Sequence, residues 1–152
     1  MREPGRPAAG DRPRVIVDFE IEDDVLLVVL RNIGPMPARR VRVSFDPSFR
    51  GIGGTVDISR LGLFQRLEFL APGREIRALV DPLNAWLGRK DPAEPRVIRV
   101  TVEYSDGMGR RYRSRLHHDL GIWDDLPRWY ARRPTIHREE RDQWQSHAND
   151  HT

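Results

Sequence analysis

From Arg14 onward, apolar and polar residues alternate. Val15, Val17, Phe19 and Ile21 interleave with Arg14, Asp18 and Glu20, with Ile16 the one apolar exception, and this period of two predicts a strand. Glu22-Asp23-Asp24 turns the chain into Val25–Leu30, an unbroken apolar strand that ends at Arg31-Asn32. Gly34-Pro35-Met36-Pro37 breaks it. Val41, Val43 and Phe45 then alternate with Arg40, Arg42 and Ser44 in a third strand, stopped by Asp46-Pro47. Residues 48–66 lack a period: Gly51, Gly53 and Gly54 make a loop, and Asp57 to Phe64 fits either a helical turn or a short edge strand. Leu67 and Phe69 are expected to be buried, ahead of a tight turn at Ala71-Pro72-Gly73.

Alternation returns with Ile76, Ala78 and Val80. Asp81 offers an N-cap, Pro82 a first helical position and Gly88 an exit. The span between them, Leu83–Leu87, predicts about one and a half turns of helix, with Trp86 plugging one end of the core. Ile98, Val100, Val102 and Tyr104 alternate with Arg99, Thr101 and Glu103, and Ser105–Gly109 is a hairpin connection. The return strand puts Tyr112, Ser114 and Leu116 on one face and Arg111, Arg113 and Arg115 on the other. About six or seven short strands with almost no helix predict an all-β, immunoglobulin-like antiparallel β-sandwich over residues 14–120. A flexible leader rich in proline and glycine, residues 1–13, precedes it. An irregular or helical, aromatic C-terminal arm, residues 121–152, follows.

The turns carry a recurrent pattern. It runs Asn32-x-Gly34 and Ala38 around the second and third strands, then Leu70-Ala71-Pro72-Gly73, then Val102-x-Tyr104-x-Asp106-x-x-Gly109-x-x-Tyr112. Over roughly residues 14–119 this resembles bacterial immunoglobulin-like sandwiches of the CARDB and NEW3 type. The matching positions are turn and core residues, so the resemblance implies a fold. By analogy it also implies a non-catalytic interaction or spacer role.

Composition removes several chemistries. The chain has 152 residues and no cysteine, so disulfides, thiolate metal sites and cysteine nucleophiles are absent together. No run reaches the roughly 18–20 apolar residues of a membrane span. Met1–Pro7 lacks the apolar stretch of a secretory signal, which leads to the expectation of a cytoplasmic protein. His117 and His118 are adjacent on a strand and point to opposite faces, which predicts one buried and one exposed imidazole rather than a metal pair. His147 and His151 have helical spacing, but a third ligand such as His137 would have to fold back to them. Gly51-Ile52-Gly53-Gly54-Thr55 lacks the lysine of a phosphate loop, and no serine sits in a nucleophile elbow. The sequence therefore predicts a non-enzyme with no metal and no cofactor.

Charge points to a surface instead. Lys plus Arg is 26 against 23 acidic residues, for a net charge of +3, and Lys90 is the only lysine. If the third strand and the last two share a sheet, Arg40, Arg42, Arg99, Arg111, Arg113 and Arg115 gather on one face with Glu103 as the one carboxylate. Strands lie about 4.8 Å apart, so such guanidinium groups would act together. An acidic protein is the favoured partner. Nucleic acid is the alternative, disfavoured because no aromatic residue alternates with these arginines to stack on bases.

The second strand raises a different question, because Val25, Leu27 and Val29 are as apolar as Leu26, Val28 and Leu30. Its outer side needs a cover. The arm offers Trp123, Leu126, Trp129, Tyr130 and Trp144, which would pack on the sandwich or insert into a partner or sister subunit. The sequence thus predicts a structural or protein-interaction subunit of a larger bacterial or phage assembly. The aromatics would anchor it and the arginines would orient the contact.

Overall fold

The turn at Asp23-Asp24 starts the fold. Both residues adopt a positive φ, 50° and 62°, the geometry that aspartate tolerates and that a two-residue hairpin needs. It joins β1 (Val15–Glu22) to β2 (Val25–Asn32), with Glu22 opposite Val25 and Val15 opposite Asn32. The computed structural model describes residues 10–125. Within them follow β3 (Ala38–Asp46), a two-residue pair β4 (Arg50–Gly51) and β5 (Val56–Asp57), and β6 (Leu67–Leu70). The chain continues through β7 (Glu75–Pro82), β8 (Val97–Ser105) and β9 (Arg111–Asp119). Two short helices interrupt it, α1 (Gly62–Gln65) and α2 (Leu83–Gly88).

The main strands form two antiparallel sheets, ordered β1-β2-β7 and β6-β3-β8-β9, in an all-β sandwich. Val15, Val17 and Phe19 of β1 and Leu26, Val28 and Leu30 of β2 bury against Val43, Phe45, Val100 and Val102 from the other sheet. Phe49 closes one end, meeting Phe19, Phe45 and Trp86 edge to face at centroid distances of 5.6, 5.1 and 5.6 Å. Trp86 is fully buried there, as the helix pattern predicts.

Asn32 explains the turn pattern. It is fully buried, and its Oδ1 accepts from the backbone N–H of Arg14 (3.1 Å) and Gly34 (3.0 Å). Its Nδ2 donates to the carbonyls of Met36 (2.8 Å) and Leu70 (3.1 Å). One amide thus ties three loops, and a Cβ on Gly34 would lie 2.4 Å from the Arg12 carbonyl.

The structure departs from the sequence expectation at three places. Phe69 is half exposed, because it pairs with outward-facing Arg39 while Leu70 pairs with core-facing Ala38. Asp81 does not cap α2, whose N-cap is Pro82. The Asp81 carboxylate is buried instead, accepting from Gly53 N–H (3.1 Å) and pairing with Arg89. Arg89 also holds buried Glu94 at 2.8 Å, so the irregular loops are lashed by a small ionic knot. Burial of Arg89 is outweighed by its bond to Asp81, and its pKa is raised. Trp123, assigned by sequence to the arm, lies in a tight turn, Leu120–Trp123, that packs against the core. Among the described residues, no helix is long and apolar enough to cross a membrane.

Candidate interaction surface

The outer faces of the two sheets are built from different chemistry. On the three-stranded sheet, Val29 of β2 sits between Asp18 of β1 and Arg77 of β7, and Leu27 sits between Glu20 and Leu79. The apolar middle strand is roofed by ion pairs that cross it. Arg77 reaches from β7 to Glu20 (3.2 Å) and Glu22 on β1, and Arg31 holds Glu20 and Glu75, each at 3.0 Å. A bond between the two edge strands must pass above the central one, and Val29 is fully buried. The arginine stems supply apolar cover while their heads stay wet. The hydrogen bond from Arg77 holds the Glu75 carboxyl below its ordinary range, and the bonds that Arg31 donates to Glu20 and Glu75 raise its own pKa. Cover for Val29 is therefore present within the sandwich, whereas Leu79 beside Leu27 stays half exposed. Leu126, Trp129, Tyr130 and Trp144 lie outside the described residues, as do His137, His147 and His151.

On the four-stranded sheet the outward side chains form a grid read across β3, β8 and β9. Its rows are Arg39–Ser105–Arg111, Arg42–Glu103–Arg113, Ser44–Thr101–Arg115 and Asp46–Arg99–His117. Arg40, Arg42, Arg99, Arg111, Arg113 and Arg115 are thus brought onto one face. The structure adds residues that the alternation missed. Between Arg39 and Arg42, β3 advances three residues while β8 advances two, a bulge in which Arg40 takes φ 51°. Ala38 and Val41 consequently both face the core, and the two arginines between them are both exposed. The signal was available: two apolar residues three apart inside a strand require an extra residue between them.

The rows differ in how their charges are met. Arg42 donates to Glu68 (2.9 Å) and to the Leu67 carbonyl (3.4 Å), and Arg113 lies 3.4 Å from Glu103. That row is internally neutralised. Among the described residues, Arg40, Arg99, Arg111 and Arg115 form no ion pair, and Arg39 lies over the Phe69 ring at 5.3 Å. A groove of about 700 Å³ opens at the bulge, lined by Arg39, Arg40, Ser105, Arg111 and the neutralised row. A smaller one of about 420 Å³ lies beyond it, lined by Ser44, Arg99, Thr101, Arg113 and Arg115.

Asp106 sets the hairpin that carries Arg111. Its Oδ1 accepts from the N–H groups of Met108 (2.8 Å) and Arg110 (3.0 Å), and its Oδ2 accepts from the Tyr112 hydroxyl (2.9 Å). Burial pushes this carboxyl up, but the three donors outweigh it and the pKa ends below the ordinary 3.8. Burial, with the same bond to Asp106, raises the Tyr112 phenol. Tyr112 stacks on Tyr104 at 5.5 Å, so the aromatic rings beneath the groove belong to the core side.

The two adjacent histidines separate as the strand geometry requires. His117 is exposed in the fourth row, whereas His118 is half-buried, with Nε2 2.8 Å from the Val17 carbonyl. Among the described residues, no group of three or more His, Asp or Glu side chains is placed to hold a metal ion.

One family description fits the chain: the domain of unknown function DUF8453 matches residues 6–124, which takes in the whole sandwich and the turn at Trp123. No curated protein and no solved structure matches it.

Proposed function

The chain belongs to the DUF8453 family, and on that footing we propose that it is a non-enzymatic interaction module that docks an acidic protein through the outer face of its four-stranded sheet. One observation carries this reading. The arginines of the three-stranded face are held in ion pairs, whereas Arg39, Arg40, Arg99, Arg111 and Arg115 on the other face each form none among the described residues. Guanidinium groups without a carboxylate are poised for one supplied from outside. The resemblance to CARDB and NEW3 modules points the same way by analogy. Attachment to a larger assembly through Leu126, Trp129, Tyr130 and Trp144 belongs to this reading as a further proposal, since those residues lie outside the described ones.

A nucleic-acid role is the second reading, favoured by a single feature. Phe69, half exposed beneath Arg39, is an aromatic able to stack on a base. Fluorescence anisotropy with the full-length chain separates the two, using a poly-glutamate peptide and a single-stranded DNA of equal charge over a salt series. The expected result is peptide binding that weakens with salt and disappears in an Arg39→Ser, Arg111→Ser, Arg115→Ser variant of unchanged melting temperature. Unaltered peptide binding by that variant overturns the proposal. DNA bound more tightly than the peptide moves the function to the second reading.

A further inference from the structure

The charge pattern of the grid is discontinuous, and that discontinuity defines what fits. Arg39, Arg40 and Arg111 surround Ser105 at one end of the face, and toward the other Arg99 and Arg115 flank Ser44 and Thr101, with Asp46 beside Arg99 as the one carboxylate there. Between them lies the row in which Arg42 is held by Glu68 and Arg113 by Glu103. Glu103 stands at its centre, on β8, with a side chain more than half exposed. Ser105 and Thr101 are four residues apart on one strand, which places the two cationic ends about 14 Å apart.

Resting on the docking reading above, we propose that the face is a spaced receptor for an extended acidic segment of a partner protein, with acidic side chains at positions i and i+4. The geometry follows from strand periodicity. A segment lying extended along β8 turns every second side chain toward the sheet, and residues i and i+4 are separated by about 13–14 Å. Their carboxylates reach the two cationic ends together. An acid at i+2 falls over the neutralised row instead, where Glu68 and Glu103 already occupy the guanidinium groups. The bulge contributes directly, because without the extra residue Arg39 and Arg40 would not both flank Ser105. Glu103 is then the specificity-determining residue. It lowers affinity for evenly charged chains, and it selects for spacing. The closely and regularly spaced phosphates of a nucleic acid meet Glu103 in any register, which is why a peptide is the fitting occupant.

The test uses the full-length, isotope-labelled chain titrated by NMR with two nine-residue peptides, each with two glutamates in an otherwise uncharged sequence. One carries them at i and i+4, the other at i and i+2. The i,i+4 peptide is expected to shift amides of both ends, around Ser105–Arg111 and Thr101–Arg115. It should bind about threefold more tightly than the i,i+2 peptide, the ratio a single exposed charge contact provides. Glu103→Gln should remove that preference by strengthening the i,i+2 peptide. Equal affinities with wild-type protein, or no effect of Glu103→Gln on the ratio, overturn the spacing inference while leaving the docking surface standing. Failure of both peptides and of poly-glutamate to shift any residue of the face overturns the docking reading with it. Tighter binding of a single-stranded DNA than of either peptide also overturns the proposal.

Discussion

On the three-stranded sheet, arginines from β2 and β7 meet glutamates from β1 and β7 above an apolar central strand; on the four-stranded sheet, most arginines stand over a floor of Ser105, Glu103 and Thr101. Both faces are rich in arginine. What differs is the position of the acids. Glu20, Glu22 and Glu75 lie on the strands flanking β2, within reach of Arg31 and Arg77 across it. Glu103 and Glu68 serve only the second row of the other face. Arginine abundance therefore says little by itself, and the register of the carboxylates decides whether a charged face is closed or open.

The sharpest way to break this comparison is to make one substitution at matching places. Val29 and Thr101 both point outward from an inner strand of their sheets, but Val29 is fully buried beneath the ion pairs. Val29→Asn should cost about 3 kcal/mol in urea unfolding, from an unsatisfied amide and lost apolar burial. Thr101→Asn should stay within about 1 kcal/mol. Equal losses would mean that the ion-pair roof does not exclude water.

Asp106→Ala comes next, at about 2 kcal/mol, because it strands two backbone N–H groups and the Tyr112 hydroxyl. Its acid dependence has a definite sign. The folded-state pKa lies below the ordinary 3.8, so the carboxylate's contribution is complete above that value and is lost as pH falls through the lower folded value. Asp106→Asn should accordingly unfold with a flatter acid limb than wild type in urea titrations across that range.

Arg31→Ser should destabilise by about 1 kcal/mol or less, and by less still in high salt, since its partners are partly exposed. The smallest change belongs to the open face. Arg111→Ser with Arg115→Ser should alter stability by less than about 0.5 kcal/mol in chemical unfolding. Any larger loss would mean those guanidinium groups support the fold.

Where alternation governs, the sequence is transparent. β1, β3, β7, β8 and β9 fall at the places the period of two marks, because each buries one side in a shared core, and β2 falls on the unbroken apolar run Val25–Leu30. Residues 48–66 were opaque for the opposite reason. β4 and β5 are two residues each, and their loops are held by Asp81, Arg89 and Glu94, which meet only after the chain has folded. The arginine face was legible as far as strict alternation reaches, which yields Arg40 and Arg42 but overlooks Arg39 and the bulge. The carboxylates Glu68 and Asp46 were overlooked as well, since neither position follows from composition. The ion pairs above Val29 were not legible, because they join strands far apart in sequence, while Trp129 and Trp144 lie outside the described residues.

Strand order in space differs from strand order along the chain, and this has a consequence for synthesis. β1 and β2 pair as soon as they exist, but β3 must wait for β6 on one side and β8 on the other, more than fifty residues later in the latter case. A growing polypeptide therefore presents β3 with both edges bare, a state that invites pairing with neighbouring chains. Arg39, Arg40 and Arg42 place three positive charges on that strand, which disfavours its pairing with another copy. The residues that open the groove in the finished sandwich are thus placed to guard the unfinished one against aggregation.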